Sequence, residues 1–173
     1  MYYLNTGFLF SETLQFKDEL SDQLGMNFIG LTSHIPKSQQ RDVKGQLLFT
    51  SDPDYCCYLN KIKPLEPILS ANDVWINGIR KDQNANRAQM KEEEQTPQGA
   101  IRYHPMLDWT SKDIFAYRKE FNLPAHPKEK EGYLSIGCEP CTRKMSLGED
   151  ERVSRWFGMN KVECGLHTDL VTK

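Results

Sequence analysis

Val74-Trp75-Ile76-Asn77-Gly78-Ile79, running into Arg80-Lys81-Asp82-Gln83-Asn84-Ala85-Asn86-Arg87, reads as a strand that ends at a glycine turn and passes into a polar loop. Branched and aromatic side chains fit a pleated, half-buried surface, and glycine ends the run. A polar loop in that place suits the phosphate side of a ligand at the carboxyl edge of a parallel sheet; its plainer meaning is an exposed turn. Working outward, residues 54–72 read as helix interrupted at Pro64 and Pro67. Residues 100–107 read as another strand, and residues 110–121 as a helix opened by Thr110 and Asp113 in capping-box spacing. Nearer the start, residues 2–4 and 27–31 are strand-like. Between them lies a helix capped at Ser11, with Phe16, Leu20 and Leu24 four residues apart and Gly25 as its stop. Residues 33–54, punctuated by Pro36, Gly45 and Pro53, read as a loop or broken helix, and the run Lys91 to Glu94 as a solvated face or mobile loop. The chain after Asn122 is loop-rich. Strands alternating with helices predict an α/β fold built on a parallel, Rossmann-like sheet. Without an internal repeat or a linker, residues 1–173 form a single domain.

Composition narrows the function classes. The chain has 173 residues, enough for one domain with a core, and 22 Lys plus Arg against 24 Asp plus Glu. That balance gives no global field for nucleic acid or a membrane surface, so any anion site must come from local clustering of bases. Apolar runs are only a few residues long, which argues against a spanning helix, and the first residues lack the pattern of a secretory signal. An odd number of cysteines, five, then reads as ligands plus a reactive thiol in a reducing cytosol, rather than as a disulfide framework.

Those cysteines fall as Cys56-Cys57, Cys138-Glu139-Pro140-Cys141, and a lone Cys164 within Glu163-Cys164-Gly165-Leu166-His167. A Cys-x-x-Cys pair brings two thiolates to one metal or cluster from a tight turn. Adjacent cysteines fit a single tetrahedral ion poorly, because neighbouring side chains diverge; a cluster offers separate irons to each. An iron–sulfur cluster, a zinc ion and unliganded buried cysteines all remain open on the residues alone. Cys164 keeps basic company in Arg143, Lys144, Arg152, Arg155 and Lys161, with His167 three residues on. Nearby cations favour a thiolate, and arginine forks match sulfate and phosphate. The bland alternative is a solvated charged tail in which Glu149, Asp150 and Glu151 balance the positives.

Four stretches resemble the assimilatory sulfonucleotide reductases. They are Asp52-Pro53-Asp54-Tyr55-Cys56-Cys57 with Lys61-Ile62-Lys63-Pro64-Leu65, Trp75 to Gln83, Gly132 to Arg143, and Glu163 to His167. Thr6-Gly7 with Leu9 to Thr13 resembles the segment near that family's second strand. The two cysteine pairs match the iron–sulfur branch, which uses adenylyl sulfate (APS), rather than the branch that uses phosphoadenylyl sulfate (PAPS) and lacks them. The resemblance implies an adenine nucleotide α-hydrolase-like fold, a [4Fe–4S] cluster on Cys56, Cys57, Cys138 and Cys141, and Cys164 as nucleophile on a mobile C-terminal segment (residues 142–173). It implies reduction of APS to sulfite and AMP through a Cys164 S-sulfonate, resolved by thioredoxin or a similar dithiol. By position Lys61, Arg152 and Arg155 would surround the phosphosulfate, with Arg80 in the same pocket and His167 beside the nucleophile. The alternatives are a PAPS or dual-specificity reductase and a non-catalytic iron–sulfur fragment; homo-oligomerisation stays open.

The resemblance departs at one place. That family's first strand leads into a Ser-Gly-Gly-Lys-Asp-Ser-type phosphate loop that this sequence does not contain. Asn5 also stands where the family carries Asp before Thr-Gly. The expectation is an N-terminally truncated sheet with half a nucleotide pocket, either a fragment of a longer reductase or a truncated copy.

Overall fold

In the computed structural model, which describes residues 1–146, 152–159 and 161–168, β1 (Tyr2–Leu4) pairs in parallel with β2 (Ile29–Leu31), Tyr2 opposite Ile29. The helix between them, α1 (Ser11–Leu24), closes on Gly25 with φ 60°, a left-handed stop that costs glycine nothing. Ser11 is not the cap. Phe10 occupies that position without a side-chain bond, and the Ser11 hydroxyl is turned to Glu12.

The described residues group into two compact units, one of Met1–Leu65 with His126–Leu166, the other of Glu66–Ala125 with the described residues from 167 on. In the first, α2 (Leu48–Ser51) and α3 (Pro53–Cys57) follow a single 3-10 turn at Lys37–Gln39. Asp52 caps α3 by accepting the Tyr55 N–H at 2.9 Å, and Pro53 sits where its missing N–H is harmless. The helix then widens into a π-helical turn at Tyr58–Ile62 before α4 (Lys63–Ser70). The prolines therefore do not interrupt this helix as the sequence predicts. Pro64 follows directly on the π-helical turn, where the bonding pattern already departs from the regular α ladder, and Pro67 is carried inside the helix. The 3-10 turn Pro127–Glu131 packs on α1, where the Lys128 ammonium meets Glu12 at 2.8 Å and His126 Nε2 meets the Thr13 hydroxyl at 2.9 Å.

In the second unit β3 (Val74–Ile76), α5 (Ala85–Ala88), β4 (Glu93–Gln95), β5 (Ile101–Tyr103) and α6 (Ser111–Glu120) follow in order. β3 and β5 are parallel, as expected, and α6 carries the predicted reciprocal cap between Thr110 and Asp113. The acidic run is not merely a solvated face. It supplies β4, antiparallel to β5, which sets Glu94 opposite Arg102. The strands are thus two small sheets, β1-β2 and β3-β5-β4, with parallel pairs in both.

Candidate active site and cysteine recess

All four paired cysteines are free thiols, all are buried, and all line one recess in the first unit. Thr6, Phe8, Phe49, Pro53, Asn60, Lys61 and Pro140 complete its wall, enclosing about 310 Å³ including the solvent at its mouth. Two local devices bring the pairs together. Cys56 and Cys57 end α3 just before the π-helical turn, whereas Cys138 opens the 3-10 turn Glu139–Cys141 and its carbonyl accepts the Cys141 N–H at 3.0 Å. The second turn is tied to the N-terminal segment by the Glu139 N–H to the Phe8 carbonyl at 2.7 Å.

Polar groups aim at these sulfurs. Asn60 Nδ2 lies 3.6 Å from Cys56 Sγ, and the Thr6 hydroxyl 3.3 Å from Cys138 Sγ. Asn60 is itself fixed by a reciprocal amide pair with buried Gln40, at 2.6 and 3.0 Å. Burial, reinforced by Cys138, pushes the Cys56 thiol up to about 11, and burial likewise raises Cys141. Buried thiols that cannot comfortably ionise alone are a soft donor set that wants a cationic partner, and so they fit a thiolate-ligated metal group. No group of three or more His, Cys, Asp or Glu among the described residues converges tightly enough to hold one ion. The thiols surround a space rather than a point.

Cys164 belongs to the same unit. It packs with Cys138, Cys141 and Trp156, and its Sγ lies 3.7 Å from Lys61 Nζ. A hydrogen bond with Cys57 lowers its pKa most; burial opposes, and Lys61, the Leu166 backbone and Lys161 add to the lowering. Cys57 is correspondingly raised, first by that hydrogen bond and then by burial. The arrangement favours Cys164 as the thiolate of the pair. Lys61 keeps its charge: burial works against it, but Cys164, Cys138 and Cys57 outweigh that.

The predicted arginines sit close by. Arg155 lies 4.7 Å over the Trp156 ring and donates Nε–H to the Cys141 carbonyl at 3.4 Å. It packs so tightly on Gly137 that a Cβ there would fall onto its guanidinium. Arg152 pairs with buried Glu163 at 2.9 Å, and Lys161 pairs with Asp54. Trp156, between them, holds φ 52° while nearly fully buried, a conformation that persists only where surrounding contacts impose it. Lys61, Arg152 and Arg155 therefore share the cysteines' unit. Arg80 and His167 belong to the other one. Arg80 is engaged there by Asp82 at 2.9 Å and Ser111 at 2.8 Å, and the His167 carbonyl meets Asn86 Nδ2 at 3.5 Å. Glu149, Asp150 and Glu151 lie outside the described residues.

Sequence reasoning missed Glu163, Thr6 and the Gln40–Asn60 pair. Only Glu163 offered a signal, as an acid directly beside the lone cysteine.

Residues 1–144 match the family model described as the phosphoadenosine phosphosulfate reductase domain. The chain belongs to this family. It is 35% identical to an adenosine 5'-phosphosulfate reductase of Salinibacter ruber, over 97% of this chain and 68% of the relative. It is 37% identical to a phosphoadenosine 5'-phosphosulfate reductase of Gloeobacter violaceus, over 96% of this chain and 70% of the relative. Among solved structures it is similar to phosphoadenylyl-sulfate reductase from Candida auris in a phosphate complex, with a TM-score of 0.69 and 20% identity over 82% of this chain and 70% of that one. That likeness confirms the α/β, Rossmann-like fold read from the strand and helix order. Among the described residues no helix is long and apolar enough to cross a membrane.

Proposed function

We propose that this sulfonucleotide reductase acts on adenylyl sulfate, giving sulfite and AMP through a Cys164 S-sulfonate. The observation that carries the reading is the Cys164 thiol, favoured as thiolate and 3.7 Å from Lys61, packed against the four-cysteine recess. The Cys164 thiolate attacks the sulfur of the sulfate group. The bond from that sulfur to the phosphate oxygen breaks, and AMP leaves with the electron pair. Lys61, Arg152 and Arg155 hold the phosphosulfate and stabilise charge on the departing phosphate, in a pocket where fixed cations act more strongly than in water. Splitting the reaction into a covalent step and a release step suits a thiolate nucleophile.

A dithiol of the thioredoxin type then attacks Cys164 Sγ and expels sulfite. Its second thiol resolves the mixed disulfide, so two electrons come from the dithiol and Cys164 is restored as a thiol. Residues 142–173 are the segment proposed to carry the nucleophile, and Arg80 and His167 remain proposed substrate-binding and catalytic residues. Five free cysteines suit a reducing cytosol.

Cys56, Cys57, Cys138 and Cys141 would hold a [4Fe–4S] cluster. A cluster takes one thiolate on each of four separate irons, which accords with thiols that line a recess instead of meeting at one point. When bound it supplies electrostatic support to the substrate rather than electrons. Iron and acid-labile sulfide analysis of anaerobically purified protein tests this: both should be present, and zinc without sulfide would refute it.

PAPS is the second reading, because a relative named for PAPS is as similar as those named for APS. Sulfite release with a dithiol, measured on each nucleotide, separates them. Release from APS well above PAPS is expected, and the reverse preference would overturn the assignment.

A further inference from the structure

Glu163 is the buried acid next to the nucleophile. Its side chain is 2% exposed, and one oxygen, Oε1, accepts from both the Cys164 N–H at 2.8 Å and Arg152 Nη2 at 2.9 Å. A carboxylate stripped of water is costly unless donors replace its hydration. Here the donors are the peptide of the nucleophile and a guanidinium proposed to bind the substrate's anion. The same guanidinium lies 5.6 Å over the ring of Trp156, the residue held at positive φ. The oxygen thus stands between the two groups whose relative placement decides whether thiol and phosphosulfate meet.

We infer that Glu163 is a positioning residue that fixes the Cys164 backbone and the Arg152 guanidinium in one register. The inference rests on the reading of Cys164 as the nucleophile. Glu163 acts through its partners and takes no part in the bond changes. A glutamine at this position keeps an oxygen for the Cys164 N–H but loses the charge that holds Arg152. An alanine loses both, so the two substitutions separate the two tasks.

The test uses the full chain purified anaerobically, as wild type, E163Q, E163A, R152M and E163Q with R152M. E163Q should raise KM for APS about tenfold with kcat within about threefold, the pattern of lost substrate positioning. In the R152M background E163Q should change KM no further. E163A should also lower kcat about 100-fold, as misplaced reacting groups do, and should speed hydrogen exchange in the peptide containing Cys164. E163Q with unchanged KM, effects of E163Q and R152M that multiply, or unchanged exchange in E163A would each overturn the inference. Should E163A fail to fold, the E163Q and R152M cycle decides alone. Should wild type fail to turn over APS, the functional reading falls. Hydrogen exchange, together with iodoacetamide labelling of Cys164, uses no nucleotide and still decides whether Glu163 holds that residue.

Discussion

In the first unit half-buried Lys61 lies 3.7 Å from the Cys164 sulfur and buried Arg155 bonds the Cys141 carbonyl, whereas in the second buried Arg102 faces a carboxylate and an aromatic ring. Arg102 is fully buried, 3.9 Å from Glu94 and 4.6 Å over Trp75. His104, equally buried, bonds Asn77 at 2.7 Å and stands 3.9 Å from Glu94. Both units therefore carry perturbed ionisable clusters, but their chemistry differs. The second holds an acid, a base and a neutral imidazole in strand pairs that close on themselves. The first gathers four thiols around a recess, packs a fifth, Cys164, against them, and keeps lysine charged beside that fifth. Perturbation alone does not mark a site; a thiol 3.7 Å from a charged lysine and packed against the cysteine recess is the feature on which the proposal rests.

The contrast predicts opposite consequences of breaking each cluster. R102M leaves half-buried Glu94 without its cation and removes the guanidinium from the Trp75 face, and should cost about 1–3 kcal/mol in urea unfolding. Activity of the remaining folded protein should stay near wild type. A loss of turnover without a loss of stability would erase the distinction between the clusters. K61M should do the reverse, lowering the rate of Cys164 S-sulfonation about 100-fold with stability little changed. It should also raise the Cys164 pKa, so that iodoacetamide labelling falls more at pH 6 than at pH 9, because Lys61 helps lower that pKa.

The fold was largely legible because strands such as Val74 to Ile76, the Gly25 stop and the Thr110 box are local signals. The π-helical turn at Tyr58–Ile62 and the strand made by Glu93 to Gln95 were not. The first depends on what the helix must place in the recess, and the second on Arg102 across the ladder. Cysteine spacing singled out the four thiols that the structure gathers at one recess. The roles of Gln40, Asn60 and Glu163 depend on contacts between distant segments or on burial, neither of which spacing encodes.

Two further effects sharpen the comparison. Burial, with Arg102 and Arg87, holds His104 down at about 4 against an ordinary 6.5. The unfolded chain then binds a proton that the folded one refuses, so stability is intact above pH 6.5 and falls as pH drops toward 4, by about 3 kcal/mol in all. Unfolding free energies measured between pH 7 and 4 should show this fall, and H104N should flatten it. In the first unit G137A should displace the Arg155 guanidinium, the far end of a flexible side chain, and cost about 1 kcal/mol, read as a lowered urea midpoint. An unchanged midpoint would mean that the close packing of Arg155 on Gly137 carries no weight.

Cys164 as the proposed sulfur-attacking thiol can be tested directly by mass. Anaerobically purified protein mixed with APS and no reductant should gain the mass of one sulfonate group, mapped to Cys164 and released as sulfite by a dithiol. No adduct on intact, cluster-loaded protein, or an adduct that persists in C164S, would contradict it.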